Sequence, residues 1–174
     1  MKILAFGASN SKNSINKQLA TYAASLVENA EVETLDINDY EMPIFSIDRE
    51  NEIGQHPLAK DFCQKIAQAD ALIISYSEHN GTYSAAYKNL FDWASRVVQK
   101  VYQEKPMIIL ATSPGPGGAA SVLNTAVTSA PFFSASVVGS LSVPNFFDNF
   151  DQDKQVLVND ELAQELQTIV NKLN

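Results

Sequence analysis

Cysteine is almost missing from this sequence, Cys63 being the only one in 174 residues. An internal disulfide and any cysteine-based metal cluster are thereby excluded, and Cys63 is expected to sit quietly in a helix. Histidine is nearly as scarce: His56 and His79 stand alone without an H-x-x-x-H spacing, so a zinc site is not expected. Basic residues are also in short supply, with 12 Lys and Arg against 20 Asp and Glu and a formal net charge of −8. Such a chain repels phosphate backbones and offers anionic lipid no attraction, which argues against nucleic acid as a partner. No run approaches the roughly 20 apolar residues of a membrane span. Residues Met1 to Gly7 are apolar for too few positions to be a signal segment and read instead as a first strand, so a cytoplasmic protein is expected.

What remains is an ordinary globular mixture, 45% hydrophobic and 18% charged, at a length that fits one domain over residues 1–174. Short apolar runs alternate with longer segments of helical period, the pattern of consecutive βαβ units on a parallel sheet. Five strands are read: Lys2 to Gly7, Glu31 to Asp36, Ala71 to Tyr76, Met107 to Thr112 and Ser136 to Val143. The first, third and fourth are nearly continuous in apolar residues, as strands covered on both faces should be. Helices fit at about Ile15 to Glu28, Pro57 to Ala69, Ser84 to Gln99, Ala119 to Ala130 and Asn159 to Lys172, with Ser14 and Asn159 as N-caps. Two long connections, Ile37 to Gln55 and Pro144 to Gln155, are candidates to line a site. The helix from Ser84 carries two apolar stripes, one through Tyr87, Leu90, Phe91, Ala94 and Val98, another through Ala86, Trp93 and Val97. The second stripe predicts a homodimer with Trp93 near the contact; the alternative is a helix fully buried under a loop.

In an open parallel sheet, ligands bind beyond the carboxyl ends of strands, near the point where connections change direction. After the first strand comes Gly7-Ala8-Ser9-Asn10-Ser11-Lys12-Asn13-Ser14-Ile15-Asn16, rich in hydroxyls and amides and leading directly into a helix. Free N–H groups at a helix start, aided by Ser and Asn donors, suit a phosphate, although the loop matches neither the P-loop nor G-x-G-x-x-G. After the third strand comes Ser77-Glu78-His79-Asn80-Gly81-Thr82-Tyr83-Ser84, where Asn80-Gly81 signals a turn that lets a flat ring approach the backbone. His79 has no cysteine or serine set up as its nucleophile and reads as a pocket-edge residue. After the fourth strand, Gly115-Pro116-Gly117-Gly118-Ala119-Ala120 satisfies G-x-G-x-x-A, yet no Asp or Glu occurs between Glu104 and Asp148 to hold a ribose. A glycine loop laid against a planar ligand explains those residues equally well.

Together the three loops resemble the NADPH-dependent FMN reductase family of flavodoxin-like proteins. That family's first loop, approximately G-S-x-R-x-x-S-x-N, aligns with Ala8 to Asn16. Its second, P-E-Y-N-x-S-x-P followed by K-N-x-x-D-W, aligns with Ser77 to Ser84 and with Lys88-Asn89-Leu90-Phe91-Asp92-Trp93; its third matches Ser113 to Gly118. The resemblance implies a flavodoxin-like three-layer α/β sandwich with a five-stranded parallel sheet in order 2-1-3-4-5. It implies that Ser9, Ser14 and Asn16 hold the FMN phosphate, with Ser11 and Ile15 in the same cradle. Glu78, His79, Asn80 and Gly81 would border the isoalloxazine, and Ser113, Pro114, Gly115, Gly117 and Gly118 would flank its other edge. Ser11 stands where the family usually has an arginine, and Lys12 offers a point charge in place of that fork. The implied activity is hydride transfer from NADPH or NADH through FMN to a flavin, a quinone or a similar flat acceptor, in a homodimer or tetramer. The alternative is a flavodoxin-type electron carrier, whose acidic surface would dock redox partners.

Overall fold

The structure is a computed structural model and describes residues 1–173, so the last residue of the expected domain, 174, lies outside the described residues. In chain order the elements are β1 (Lys2–Ala8), α1 (Ile15–Ser25), β2 (Glu31–Leu35), α2 (Ile47–Ile53), α3 (Pro57–Gln68) and β3 (Ala71–Tyr76). A hairpin of β4 (Glu78–His79) and β5 (Thr82–Tyr83) follows, then α4 (Ala85–Val97), β6 (Pro106–Thr112), α5 (Ala120–Ser129) and β7 (Ser136–Val143). The chain continues through α6 (Phe146–Asn149), the ribbon β8 (Phe150–Asp151) and β9 (Val156–Leu157), and α7 (Asp160–Val170). Five strands form one parallel sheet in the order β2-β1-β3-β6-β7, which is the expected 2-1-3-4-5 when the small ribbons are set aside.

Alternation along each central strand feeds two cores. Leu4, Phe6, Leu72 and Ile74 face α3, α4 and α5, where Phe62, Ile66, Leu90 and Val122 meet them. Ile3, Ala5, Ile73 and Ile108 face α1 and α7, packing on Leu19, Ala23, Leu166 and Val170. Both faces of β1, β3 and β6 are therefore covered, which is why these strands read as unbroken apolar runs. Ser14 and Asn159 cap their helices as expected, their side-chain oxygens accepting from the N–H groups of Lys17 and Leu162.

Trp93, expected near a subunit contact, is covered within its own chain, as in the alternative of a helix buried under a loop. Trp93 is 0% exposed within a single chain, because the segment before α2 folds over the second stripe of α4. Its indole Nε1 donates to the Pro43 carbonyl at 2.7 Å, and Phe45 meets the ring edge-on at 5.2 Å. Asn89 pins the same segment, donating to the carbonyls of Met42 and Pro43 and accepting from the N–H of Phe45. The long connection thus covers a helix, and carries a 3₁₀ turn at Ile37–Tyr40 and α2 besides.

Cys63 lies in α3 as expected, its Sγ donating to the Ala94 carbonyl, and burial pushes its thiol up to about 11. A thiol this far above neutral pH and shielded from solvent is a poor nucleophile. Iodoacetamide at mildly alkaline pH should leave the folded protein unlabelled while the denatured chain reacts fully, as mass spectrometry would show. Rapid labelling of native protein would mean that α3 opens readily.

Candidate active site at the carboxyl end of the sheet

The loop after β1 is held by its own hydroxyls. Ser9 Oγ accepts from the N–H of Ser11 at 3.2 Å, and Ser14 Oγ accepts from that of Lys17 at 3.1 Å. The first intrahelical bond runs from the Gln18 N–H to the Ser14 carbonyl, which leaves the N–H groups of Ile15 and Asn16 directed out of the helix start. Ser11, Lys12 and Asn13 are exposed beside them. The Asn16 side chain turns the other way. Its Oδ1 accepts from Ser75 Oγ at 2.7 Å and from the Thr112 N–H at 3.1 Å, and its Nδ2 donates to the Thr112 carbonyl at 3.2 Å. With only 2% exposure, this amide bolts α1 to β3 and β6, and only its backbone N–H is left for a ligand.

The loop after β3 is tied at both ends to the end of β1, since Ser77 Oγ and Ser84 Oγ each donate to the Ala8 carbonyl, at 2.8 and 2.9 Å. Between them, Asn80 and Gly81 both adopt positive φ, 52° and 81°, and close the β4–β5 hairpin as an Asn-Gly pair favours. His79, Asn80 and Gly81 are exposed at its tip. Glu78 points elsewhere: its Oε2 accepts from the Val122 N–H at 2.9 Å in the first turn of α5. Ala119, the residue before α5, has no side chain with which to cap and sits in the left-handed region, so Glu78 caps this helix from the neighbouring hairpin.

The glycine loop after β6 is a folded turn. The N–H groups of Gly118 and Asn145 both reach the Gly115 carbonyl, and the Phe146 N–H reaches that of Ser113. Gly118 has φ +57° and lies so close to β7 that a Cβ there would fall 2.3 Å from Ser142 Oγ. A dinucleotide fingerprint needs free N–H groups where the next helix starts. Here the Ala120 N–H is taken by the Gly117 carbonyl and that of Val122 by Glu78. The glycines therefore form a tight turn beside the cleft, which does not have the free helix start of a dinucleotide fingerprint.

A cleft of about 290 Å³ opens where these loops meet. Of the expected residues, Ser9, Ser11, Ser14, Ile15 and Asn16 line it from the first loop, Glu78 and His79 from the second, and Ser113 and Pro114 from the third. Asn80, Gly81, Gly115, Gly117 and Gly118 are not in its wall; they belong to the hairpin tip and the turn next to it. Four wall residues were not among those expected: Asn13 and Ser77 in loops already singled out, Thr112 at the end of β6, and Phe147. Phe147, 58% exposed, stands in the cleft on α6, while its neighbour Phe146 is buried and stacks on Phe150 at 4.7 Å. Two adjacent phenylalanines in a long connection carry no mark that tells which one faces a ligand. No helix among the described residues is long and apolar enough to cross a membrane.

A parallel sheet in this order, with a polar helix start and two further loops converging at one end, defines a flavodoxin-like α/β domain. The family model for NADPH-dependent FMN reductase matches residues 1–148, and the chain belongs to that family. Among similar curated proteins, a 2-hydroxy-1,4-benzoquinone reductase of Burkholderia sp is 37% identical over 122 residues, 69% of this chain and 64% of that protein. An Arabidopsis thaliana NADPH:quinone oxidoreductase is 32% identical over 125 residues, 70% of this chain and 62% of that one. The matched chain thus spans under two thirds of the length of these two relatives. The solved structure of the flavoenzyme NAD(P)H:(acceptor) oxidoreductase FerB from Paracoccus denitrificans superposes with a TM-score of 0.76 at 23% identity, over 99% of this chain and 94% of that one, a likeness of fold.

Proposed function

We propose that residues 1–174 form one FMN-binding domain that oxidises NADH or NADPH and reduces a flavin, a quinone or a similar flat acceptor. The observation that carries this reading is the open start of α1 at the floor of the cleft, with both other loops at the same sheet end. The donor set suits a phosphate: the N–H groups of Ile15 and Asn16, the Ser11 hydroxyl and the Asn13 amide, with the helix dipole supplying positive potential. No Lys or Arg lines this cleft, so dipoles and hydroxyls carry the anion without a guanidinium fork. The β4–β5 hairpin and the glycine turn offer backbone edges on either side of a planar ring, and Phe147 offers an aromatic face. Bound FMN would supply the two-electron chemistry, accepting hydride at N5 and releasing it to the acceptor. The chain's own part is to hold, orient and shield, which fits a cleft without a nucleophile–base pair. A cytoplasmic setting, where the reduced coenzyme is held, goes with this reading.

Absorbance of purified protein with FMN, before and after anaerobic NADH or NADPH, tests binding and reduction together. FMN binding without coenzyme oxidation would favour an electron carrier instead. Ser14→Ala should cost about 1 kcal/mol of stability through the lost cap and also weaken FMN, so FMN should raise the melting temperature of this variant less than that of wild type. Equal shifts would make Ser14 a cap alone.

The same reading includes a homodimer, now placed on the outer side of α4. A hollow of about 260 Å³ there is walled by Tyr83, Phe91 and Phe133, with Lys88 and Asp92 paired one turn apart at its rim. Across a two-fold axis, antiparallel copies of α4 would set Lys88 against Asp92 of the partner subunit, a self-complementary pattern. Sedimentation should show a dimer at micromolar concentration and a monomer for Phe91→Glu; a wild-type monomer would refute it.

A further inference from the structure

The cradle is not closed on the outer side of α1. A hollow of about 350 Å³ there shares Asn13 and Ser14 with the cleft and continues along the helix as far as Thr21. Ser14 is only 5% exposed and lines both spaces. Its Oγ accepts from the Lys17 N–H, and among the described residues its hydroxyl hydrogen has no acceptor, so a donor shut off from bulk water is left at the junction. The two spaces differ in charge. No Lys or Arg lines the cleft, whereas two of the chain's 12 basic residues, Lys12 and Lys17, line the hollow and no Asp or Glu does. Lys17 is answered by Asp36, but Lys12 is exposed and forms no salt bridge among the described residues. Farther down, Gln18 Oε1 accepts from the amides of Gln152 and Gln155, which leaves the Gln18 amino group for a ligand. The hollow between residues 37–44 and α4 shares no residue with the cleft and carries Glu41 in its wall, so it does not extend the cradle.

We infer that the cleft and the α1 hollow together bind flavin adenine dinucleotide, with the flavin-side phosphate in the cradle and the adenylyl phosphate in the hollow beside Lys12. The inference rests on the flavin-binding reading proposed above and widens the cofactor it admits. Charge is what favours the dinucleotide. A phosphate monoester such as that of FMN carries about −1.5 to −2 at neutral pH, its second pKa lying near 6. In a pyrophosphate diester the two phosphates carry one charge each. A cradle of N–H groups, hydroxyls and an amide, with no cation in its wall, meets a single charge more readily than a double one. The second charge of the dinucleotide falls on the side where Lys12 stands, one residue before the shared Asn13 and Ser14. The adenosine beyond it lies along α1, where the Gln18 amide and the Thr21 hydroxyl offer polar partners to a ribose. The isoalloxazine is the same in both flavins, so the ring's place in the cleft does not change.

Titration calorimetry of the full chain, dialysed free of flavin, with FMN and with FAD reads the preference without turnover. FAD should bind about threefold or more tighter than FMN at about 20 mM salt, the gap narrowing at about 200 mM as Lys12 is screened. Lys12→Ala should weaken FAD about fivefold and FMN by under about twofold, and Lys12→Arg should keep the wild-type preference. Lys12 is exposed, so circular dichroism should show both variants folded. FMN binding equal to or tighter than that of FAD in the wild type overturns the inference. An equal loss for both flavins in Lys12→Ala also overturns it, giving Lys12 to the inner phosphate. So does a Lys12→Ala variant that keeps FAD but loses NADPH binding to the FMN-loaded protein, which would assign the hollow to the coenzyme. Failure to bind either flavin refutes the proposed function itself, a result distinct from FMN bound and FAD refused.

Discussion

Asn16→Leu should lose about 2–4 kcal/mol of unfolding free energy, since a buried group stripped of its partner costs about 1–3 kcal/mol and several are stripped together here. Ser75 Oγ, the Thr112 N–H and the Thr112 carbonyl would all face an alkyl chain in a region sealed from water. Urea unfolding followed by circular dichroism gives the number. FMN binding should weaken as well, because the helix that presents the Ile15 and Asn16 N–H groups is no longer bolted to β3 and β6. Asn16→Asp sharpens the test: it keeps an acceptor for Ser75 but sets a carboxylate oxygen against the Thr112 carbonyl, so it should be destabilised too. A loss below about 1 kcal/mol in Asn16→Leu would mean that this amide is of little consequence to the frame.

At Gly81 the largest effect should be on ligand binding. The residue has φ +81°, and a Cβ built there meets nothing within 4 Å, so substitution is opposed by backbone conformation and not by crowding. A left-handed backbone costs an ordinary residue about 1–2 kcal/mol and a β-branched one more. Gly81→Val should therefore distort the hairpin tip while the sheet persists, and FMN affinity, read by fluorescence quenching, should fall about tenfold or more. Gly81→Ala separates two causes: an equal fall points to hairpin geometry, whereas a fall in valine alone points to a side chain in the ring's path. If both folded variants bind FMN like wild type, the hairpin does not border the ring.

The central strands were legible because burial on both faces writes itself into composition: every residue from Ile3 to Phe6 is fully buried. The three loops were legible because turn and capping chemistry is local. Where the reading went astray, the deciding partner lies far along the chain. The second stripe of α4 demanded a cover, but periodicity cannot say whose; Pro43, fifty positions before Trp93, provides it through a main-chain carbonyl. Asn16 follows a capping serine and so resembles a phosphate donor, although its side-chain partners, Ser75 and Thr112, are 59 and 96 positions away. Glu78 reads as one acid among 20, and its task exists only because Ala119 leaves α5 without a cap. Phe147 became visible only once α6 had turned it toward the cleft and Phe146 away from it.

The bond from Glu78 to the start of α5 also determines what kind of opening this is. The loop after β3 borders the cleft and the helix after β6 packs beside that loop, and one carboxylate reaches from the first to the second. The gap between them is thus set like the jaw of a caliper, by the length of a glutamate side chain and a single hydrogen bond. Ser77 and Ser84 clamp the near jaw to the end of β1, and the turn bonds to Gly115 and Ser113 clamp the far one to the chain beyond β7. A rim held this way keeps one spacing, since neither jaw can shift without breaking one of these bonds.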